Sequence, residues 1–295
     1  MATTLSLNLL LVGALLLGWG HLPGRITAPA APRPAAFHLG APASCAESGS
    51  VDEVAVPTTY LADGEIRALV YLPPCYDPQA RPGYPLLVLI HGQGYTPQQW
   101  LDLDLPGRAD ALIQRGEAPP FVVLMPYDPP PAMRPPHTGF DEAFLNDLLP
   151  WFTQRYPVRA QREYWAVGGI SRGAAWAIHF GLQGWDRFGA LGGHSPPVFW
   201  SDSPHLRAWL TSIPEAAWPR IYLDIGDADR QDILGAARDF ESLLTEMGIP
   251  HEWHLNVGRH EQAYWDAHLE DYLRWYAAAW SPAAPEASPT QEDSR

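Results

Sequence analysis

Val167-Gly168-Gly169-Ile170-Ser171-Arg172-Gly173-Ala174 decides how this chain is read. It contains Gly-x-Ser-x-Gly, with Ser171 at the centre and Gly169 and Gly173 two residues to either side. Tyr164-Trp165-Ala166-Val167 precedes it, apolar and aromatic enough for a buried strand. Ala174-Ala175-Trp176-Ala177-Ile178 follows and starts a helix well. Strand, sharp turn and helix form the setting in which a serine is held in strained backbone above a strand end. The flanking glycines let helix and strand approach without Cβ clashes.

Working outward, residues 86–90 are a continuous apolar run entered through Pro85, the mark of a strand covered on both faces. That run ends in His91-Gly92-Gln93-Gly94. Residues 121–125 and 188–193 read as further buried strands. Residues 220–225 run into Gly226-Asp227-Ala228-Asp229, and residues 251–257 turn out through Gly258-Arg259-His260. Helices are expected over residues 108–115, 142–156, 205–212, 233–247 and 263–280. Upstream, residues 51–60 and 66–72 alternate well enough for antiparallel strands joined around Asp63-Gly64. Strands alternating with helices after an opening hairpin predict an α/β fold: a mostly parallel, doubly wound sheet with helices on both faces.

The chain has 295 residues and a net charge of −14, from 19 basic and 33 acidic side chains. With no basic cluster to offset it, that balance argues against nucleic acid as a partner and disfavours polyanionic substrates. Thirteen tryptophans and 32 prolines suit a packed core with rigid loops, and leave aromatics to line a cleft. No Lys, Arg, Asp or Glu occurs in the first 24 residues. Residues 1–30 therefore read as a signal peptide or a membrane anchor, the latter associating through the apolar run at 5–19. Residues 31–50 read as a Pro/Ala-rich linker, 51–281 as the catalytic domain and 282–295 as a tail. An export-like segment ahead of the only two cysteines, Cys45 and Cys75, favours a disulfide between them and an exported protein. Cys-x-x-Cys spacing is absent, so no metal site is expected, nor any cofactor.

A serine hydroxyl is a poor nucleophile until a base takes its proton and a third group orients that base. Ser171, the acidic loop at 227–229 and His260 follow the order Ser, acid, His, each after an expected strand and at the sheet's carboxyl edge. His260 is the candidate base, in its Gly-x-His turn. His251 and His254 lie within a strand on opposite faces, and His179 sits on the helix after the turn as packing. Asp224 is still in its strand, and Asp232 is placed to cap a helix, so the acid is Asp227 or Asp229. A tetrahedral intermediate needs backbone N–H donors. One is expected from Arg172 and the other from Gln93 or Gly92. His91, Trp100, His194, Trp200 and Trp265 are the candidate substrate contacts, with the Pro-rich loop at 128–136 as a wall.

Tyr71-Leu72-Pro73-Pro74-Cys75-Tyr76, His91-Gly92-Gln93-Gly94, the turn at Ser171, Gly226-x-x-Asp229 and Gly258-x-His260 with Trp265 together resemble the esterase D-like esterases. This family of the α/β-hydrolase superfamily includes enterochelin esterases, feruloyl esterases, S-formylglutathione hydrolases and mycolyltransferases. The resemblance covers about residues 51–280. It implies an α/β-hydrolase fold with a minimal cap, and it implies Asp229, the Asp of Gly-x-x-Asp, as the acid. It also implies a serine esterase working through an acyl-enzyme, and the little sequence available for a cap points to short acyl or aryl esters as substrates. Acyl transfer to another alcohol and ester binding without catalysis are the alternatives on the same fold. Arg172 departs from the Met or Gln of many relatives; its side chain either forms a local salt bridge or meets an anionic part of the substrate.

Overall fold

The computed structural model describes residues 45, 47–130 and 138–280. The expected leader, the tail, most of the linker and most of the Pro-rich loop lie outside the described residues. So does the apolar run at 5–19.

Eight strands form one sheet: β1 (Ser50–Pro57), β2 (Glu65–Leu72), β3 (Leu86–Ile90), β4 (Val122–Pro126), β5 (Trp165–Ile170), β6 (Ala190–His194), β7 (Arg220–Gly226) and β8 (Glu252–Asn256). Their order is β1-β2-β4-β3-β5-β6-β7-β8. The β1–β2 and β2–β4 pairs are antiparallel, and every later pair is parallel. Central strands are buried along their whole length, as their unbroken apolar runs require.

Alternation along each strand divides the core. Leu87 and Leu89 face one layer, with α1 (Gln98–Asp102), α2 (Leu105–Gln114) and α8 (Gln262–Ala278) packed on it. Leu86, Val88 and Ile90 face the other. That layer carries α3 (Phe140–Glu142), a π-helical turn (Ala143–Leu148), α4 (Leu149–Arg155), α5 (Arg172–Gln183), α6 (Leu206–Ser212) and α7 (Gln231–Glu246). The single helix expected over 142–156 thus carries a π turn just before Pro150, which has no N–H to extend an α ladder. Helix α1, only five residues long, was not expected from sequence: it is too short to show a period. Between β6 and β7 stand only α6 and a 3₁₀ turn, which leaves little chain for a cap. Among the described residues no helix is long and apolar enough to cross a membrane.

Two close approaches set where helices meet the sheet. A Cβ on Gly168 or Gly192 would strike the Tyr276 hydroxyl of α8, so these glycines let α8 lie against β5 and β6. A Cβ on Gly169 would strike the backbone of Gly173, and one on Gly173 the Ile90 carbonyl. Cys45 and Cys75 are disulfide-bonded across a separation of 30 residues. Reduction should lower folding stability by about 3–4 kcal/mol on the chain-entropy argument, read as a drop in the urea midpoint with and without reductant.

Candidate active site

Ser171 links β5 to α5 with φ 53° and ψ −120°, a backbone region that costs a non-glycine residue about 1–3 kcal/mol. Its amide donates to the His194 carbonyl at the end of β6 (2.8 Å), which helps hold the turn. The hydroxyl thereby stands above the carboxyl edge of the sheet, 2.9 Å from His260 Nε2. His260 Nδ1 lies 2.8 Å from Asp229 Oδ1 and 3.1 Å from Oδ2. An ionised carboxylate only accepts, so Nδ1 carries the ring proton and Nε2 presents its lone pair to Ser171. Asp229 is 3% exposed, and its Oδ1 also accepts from the Arg230 amide (2.6 Å). Asp227, equally placed by sequence, instead accepts from the Gly258 amide at 3.1 Å and ties its loop to the turn after β8. Behind His260, Trp265 stands edge-on with ring centroids 5.1 Å apart, and its indole N–H donates to Ser195 Oγ (3.2 Å).

Arg172 opens α5, so its N–H lies outside the helical ladder. Among the described residues neither that N–H nor the N–H of Gln93 has an acceptor. Gly92 is different: its N–H donates to Gln99 Oε1 (2.8 Å), and Gln99 Nε2 donates to Gln262 Oε1 (3.1 Å). The pair of free amides is therefore Arg172 and Gln93, and the expectation for Gly92 is corrected because its donor is already spent.

One buried carboxylate joins the two loops that carry these amides. Asp128, just past β4, accepts from Arg172 Nε (2.5 Å), Arg172 Nη2 (3.2 Å) and Trp176 Nε1 (2.8 Å). Its own amide donates to His91 Nε2 (3.0 Å), while His91 Nδ1 donates to the Gly92 carbonyl (2.9 Å). Burial lowers the His91 pKa, which favours the neutral ring, and its two hydrogen bonds set the tautomer. The Arg172 side chain is thus in a local salt bridge. Neither Asp128 nor Gln99 was among the sequence candidates. Asp128 ends a parallel strand at the carboxyl edge, a position that could have drawn notice; Gln99 carries no such signal.

A family model described as "Putative esterase" matches residues 59–276. The chain belongs to that esterase family. Esterase Rv1288 of Mycobacterium tuberculosis strain H37Rv is 24% identical over 240 residues, covering 65% of this chain and 51% of that protein. The chain thus spans about half the length of the curated relatives it matches. Among solved structures, a ferulic acid esterase superposes with a TM-score of 0.70 at 20% identity, over 79% of this chain and 99% of that one. A CE1 ferulic acid esterase from Anaeromyces mucronatus gives 0.64 at 18% identity, over 80% and 93%. The S-formylglutathione hydrolase of Staphylococcus aureus gives 0.61 at 16%, over 78% and 100%. At these identities the structures establish the shared α/β-hydrolase fold.

Several of the expected substrate contacts lie elsewhere. Trp100 is fully buried in the layer under α1 and cannot meet a ligand. His194 is 1% exposed: its Nδ1 donates to Asp224 Oδ1 (2.7 Å), and its Nε2 lies 3.1 Å from the Tyr276 hydroxyl. Trp265, 2% exposed, backs His260 and does not wall a cleft. His91 reaches the site's edge, but both its nitrogens are engaged. Trp200 alone of the five is open, at 69% exposure. Asp224, fully buried, also accepts from the hydroxyls of Tyr264 (2.7 Å) and Tyr272 (2.6 Å). His194→Ala should therefore cost stability, by about 2–4 kcal/mol for the stranded partners and lost packing, with KM little changed. Urea denaturation alongside steady-state kinetics checks it.

Proposed function

We propose that this esterase hydrolyses carboxylic esters with Ser171 as nucleophile, His260 as base and Asp229 as the group that orients it. The observation that carries the reading is the unbroken line from Ser171 Oγ through His260 to Asp229, with contacts of 2.9 and 2.8 Å. His260 Nε2 takes the Ser171 proton as Oγ attacks the ester carbonyl. The resulting oxyanion accepts from the N–H groups of Arg172 and Gln93. The imidazolium, stabilised by Asp229, then protonates the leaving alkoxide, and the acyl group stays on Oγ. Water, deprotonated by the same imidazole, releases the acid in the second half-reaction.

Ser171→Ala and His260→Ala should each lower kcat by roughly 10⁴-fold or more with the fold intact. Asp229→Asn should cost far more than Asp227→Asn, since an amide cannot hold the imidazole in the required tautomer. Steady-state assays of the purified variants, with circular dichroism for folding, test both; near-normal turnover by Ser171→Ala ends this reading. A fluorophosphonate should label Ser171, located by peptide mapping.

The expected substrates are esters of short or aryl acids. With only α6 and a 3₁₀ turn between β6 and β7, little chain is present to enclose a long acyl tail. Each CH₂ left unburied forgoes about 0.8 kcal/mol. The names of the similar structures, ferulic acid esterase and S-formylglutathione hydrolase, are in keeping with this. In a p-nitrophenyl series from acetate to palmitate, kcat/KM should peak among the short chains. A steady climb to palmitate contradicts the assignment. The Cys45–Cys75 bridge supports export to an oxidising compartment.

A further inference from the structure

We infer that a cavity beside the two free amides is the acyl subsite, and that it selects acyl groups carrying a neutral acceptor oxygen. The inference rests on the esterase reading above and narrows its substrate class. The cavity measures about 150 Å³ and is lined by Gln93, Gly94, Tyr95, Pro129, Pro130 and Arg172 among others. The two residues that carry the proposed oxyanion donors line it, one of them next to Ser171 in the chain, while neither Ser171 itself nor any residue of β8, α8 or the His260 turn does. His260 must face the oxygen that leaves, so the alcohol belongs on its side of Ser171 and the acyl group on the other. A cavity of this size holds a benzene ring, so it accommodates about six heavy atoms.

His91, Gln93, Asp128 and Arg172 make one side of it polar, and of these Arg172, 8% exposed, has side-chain donors to spare. A guanidinium has five N–H groups. The Nε proton and one Nη2 proton go to Asp128. Neither proton of Nη1 has an acceptor among the described residues. The rings of Trp176 and Phe199, 6.0 and 5.9 Å away, flank the guanidinium and limit its movement. His91 cannot serve in its place, because both of its nitrogens are engaged. Nη1 keeps some contact with solvent, so water accepts from it until an acyl oxygen takes the water's place. Asp128 already neutralises the Arg172 charge, so a second carboxylate would approach Asp128 with no cation left to balance it. An ether, hydroxyl or carbonyl oxygen on the acyl chain accepts the bond without that repulsion, while Tyr95 and the two prolines supply apolar walls.

The test compares p-nitrophenyl butyrate, methoxyacetate (one CH₂ replaced by oxygen) and hemisuccinate (a terminal carboxylate) on the full chain. Rates with hydroxide alone correct for intrinsic reactivity. Corrected kcat/KM should be about tenfold higher for methoxyacetate than for butyrate, the size of one hydrogen bond to a charged donor. Hemisuccinate should do no better than butyrate. Arg172→Met should abolish the preference for methoxyacetate. Because that change strands Asp128, a second variant, Arg172→Met with Asp128→Asn, removes both charges together. The ratio of two esters on one enzyme preparation does not depend on how much of it is folded. A ratio that is unchanged in both variants overturns the inference, and so does a hemisuccinate optimum, which would mark an anion site. Turnover without selectivity sinks the inference alone; cleavage of none of the three sinks the esterase reading and the inference with it.

Discussion

The contact on which the rest of this structure depends is the backbone approach at Gly169 and Gly173. Gly173 lies against the Ile90 carbonyl, and Gly169 against Gly173 itself, so β3, β5 and α5 converge with no side chain between them. That convergence forces the chain through a tight reversal at Ser171 and sets its positive φ. It also brings the end of β3, with Gln93, to the start of α5, with Arg172. Nucleophile candidate and amide pair are therefore consequences of one packing event, and a single methyl at either glycine would disturb all of them.

Around that point the molecule is braced by two buried carboxylates with different tasks. Asp128 gathers Arg172, Trp176 and, through its own amide, His91. It ties the end of β4 to the end of β3 and to α5, which makes the spacing of the two free amides a property of the core and not of mobile loops. Asp224 lies deeper and collects His194, Tyr264 and Tyr272. Its hold on Tyr264 sets the first turn of α8, and the Tyr264 ring packs against Gly258 in the turn that presents His260. Each carboxylate has several donors, the condition under which a buried charge is tolerable.

Trp265 shows how aromatic content is used here. It covers the side of His260 away from solvent and anchors its indole N–H on Ser195, itself at φ 51°. The tryptophans that look like cleft lining from composition are mostly the supports of the layer beneath. Side chains that bury an apolar body and satisfy one polar tip make rigid backing for a group that must keep its orientation.

Much was legible in the sequence by itself, because it is local. Runs such as Leu86–Ile90 are apolar on both faces and can only be central strands, and Gly-x-Ser-x-Gly between a strand and a helix has one comfortable geometry. The positions of Ser171 and His260 at strand ends follow from that reading, as does the two-layer α/β plan. Tertiary structure decided what depends on partners distant in the chain. Asp227 and Asp229 share a loop, and only the register of β7 against β8 determines which one meets His260. Gly92 looked available until Gln99, on a helix too short to show a period, took its N–H. His194 sits at a strand end like the site residues, yet its side chain points toward Asp224 on the face covered by α8. Periodicity tells which residues are buried; it does not tell which buried polar groups find each other, because such pairings reach across 30 residues for His194 and Asp224 and 163 for Gln99 and Gln262.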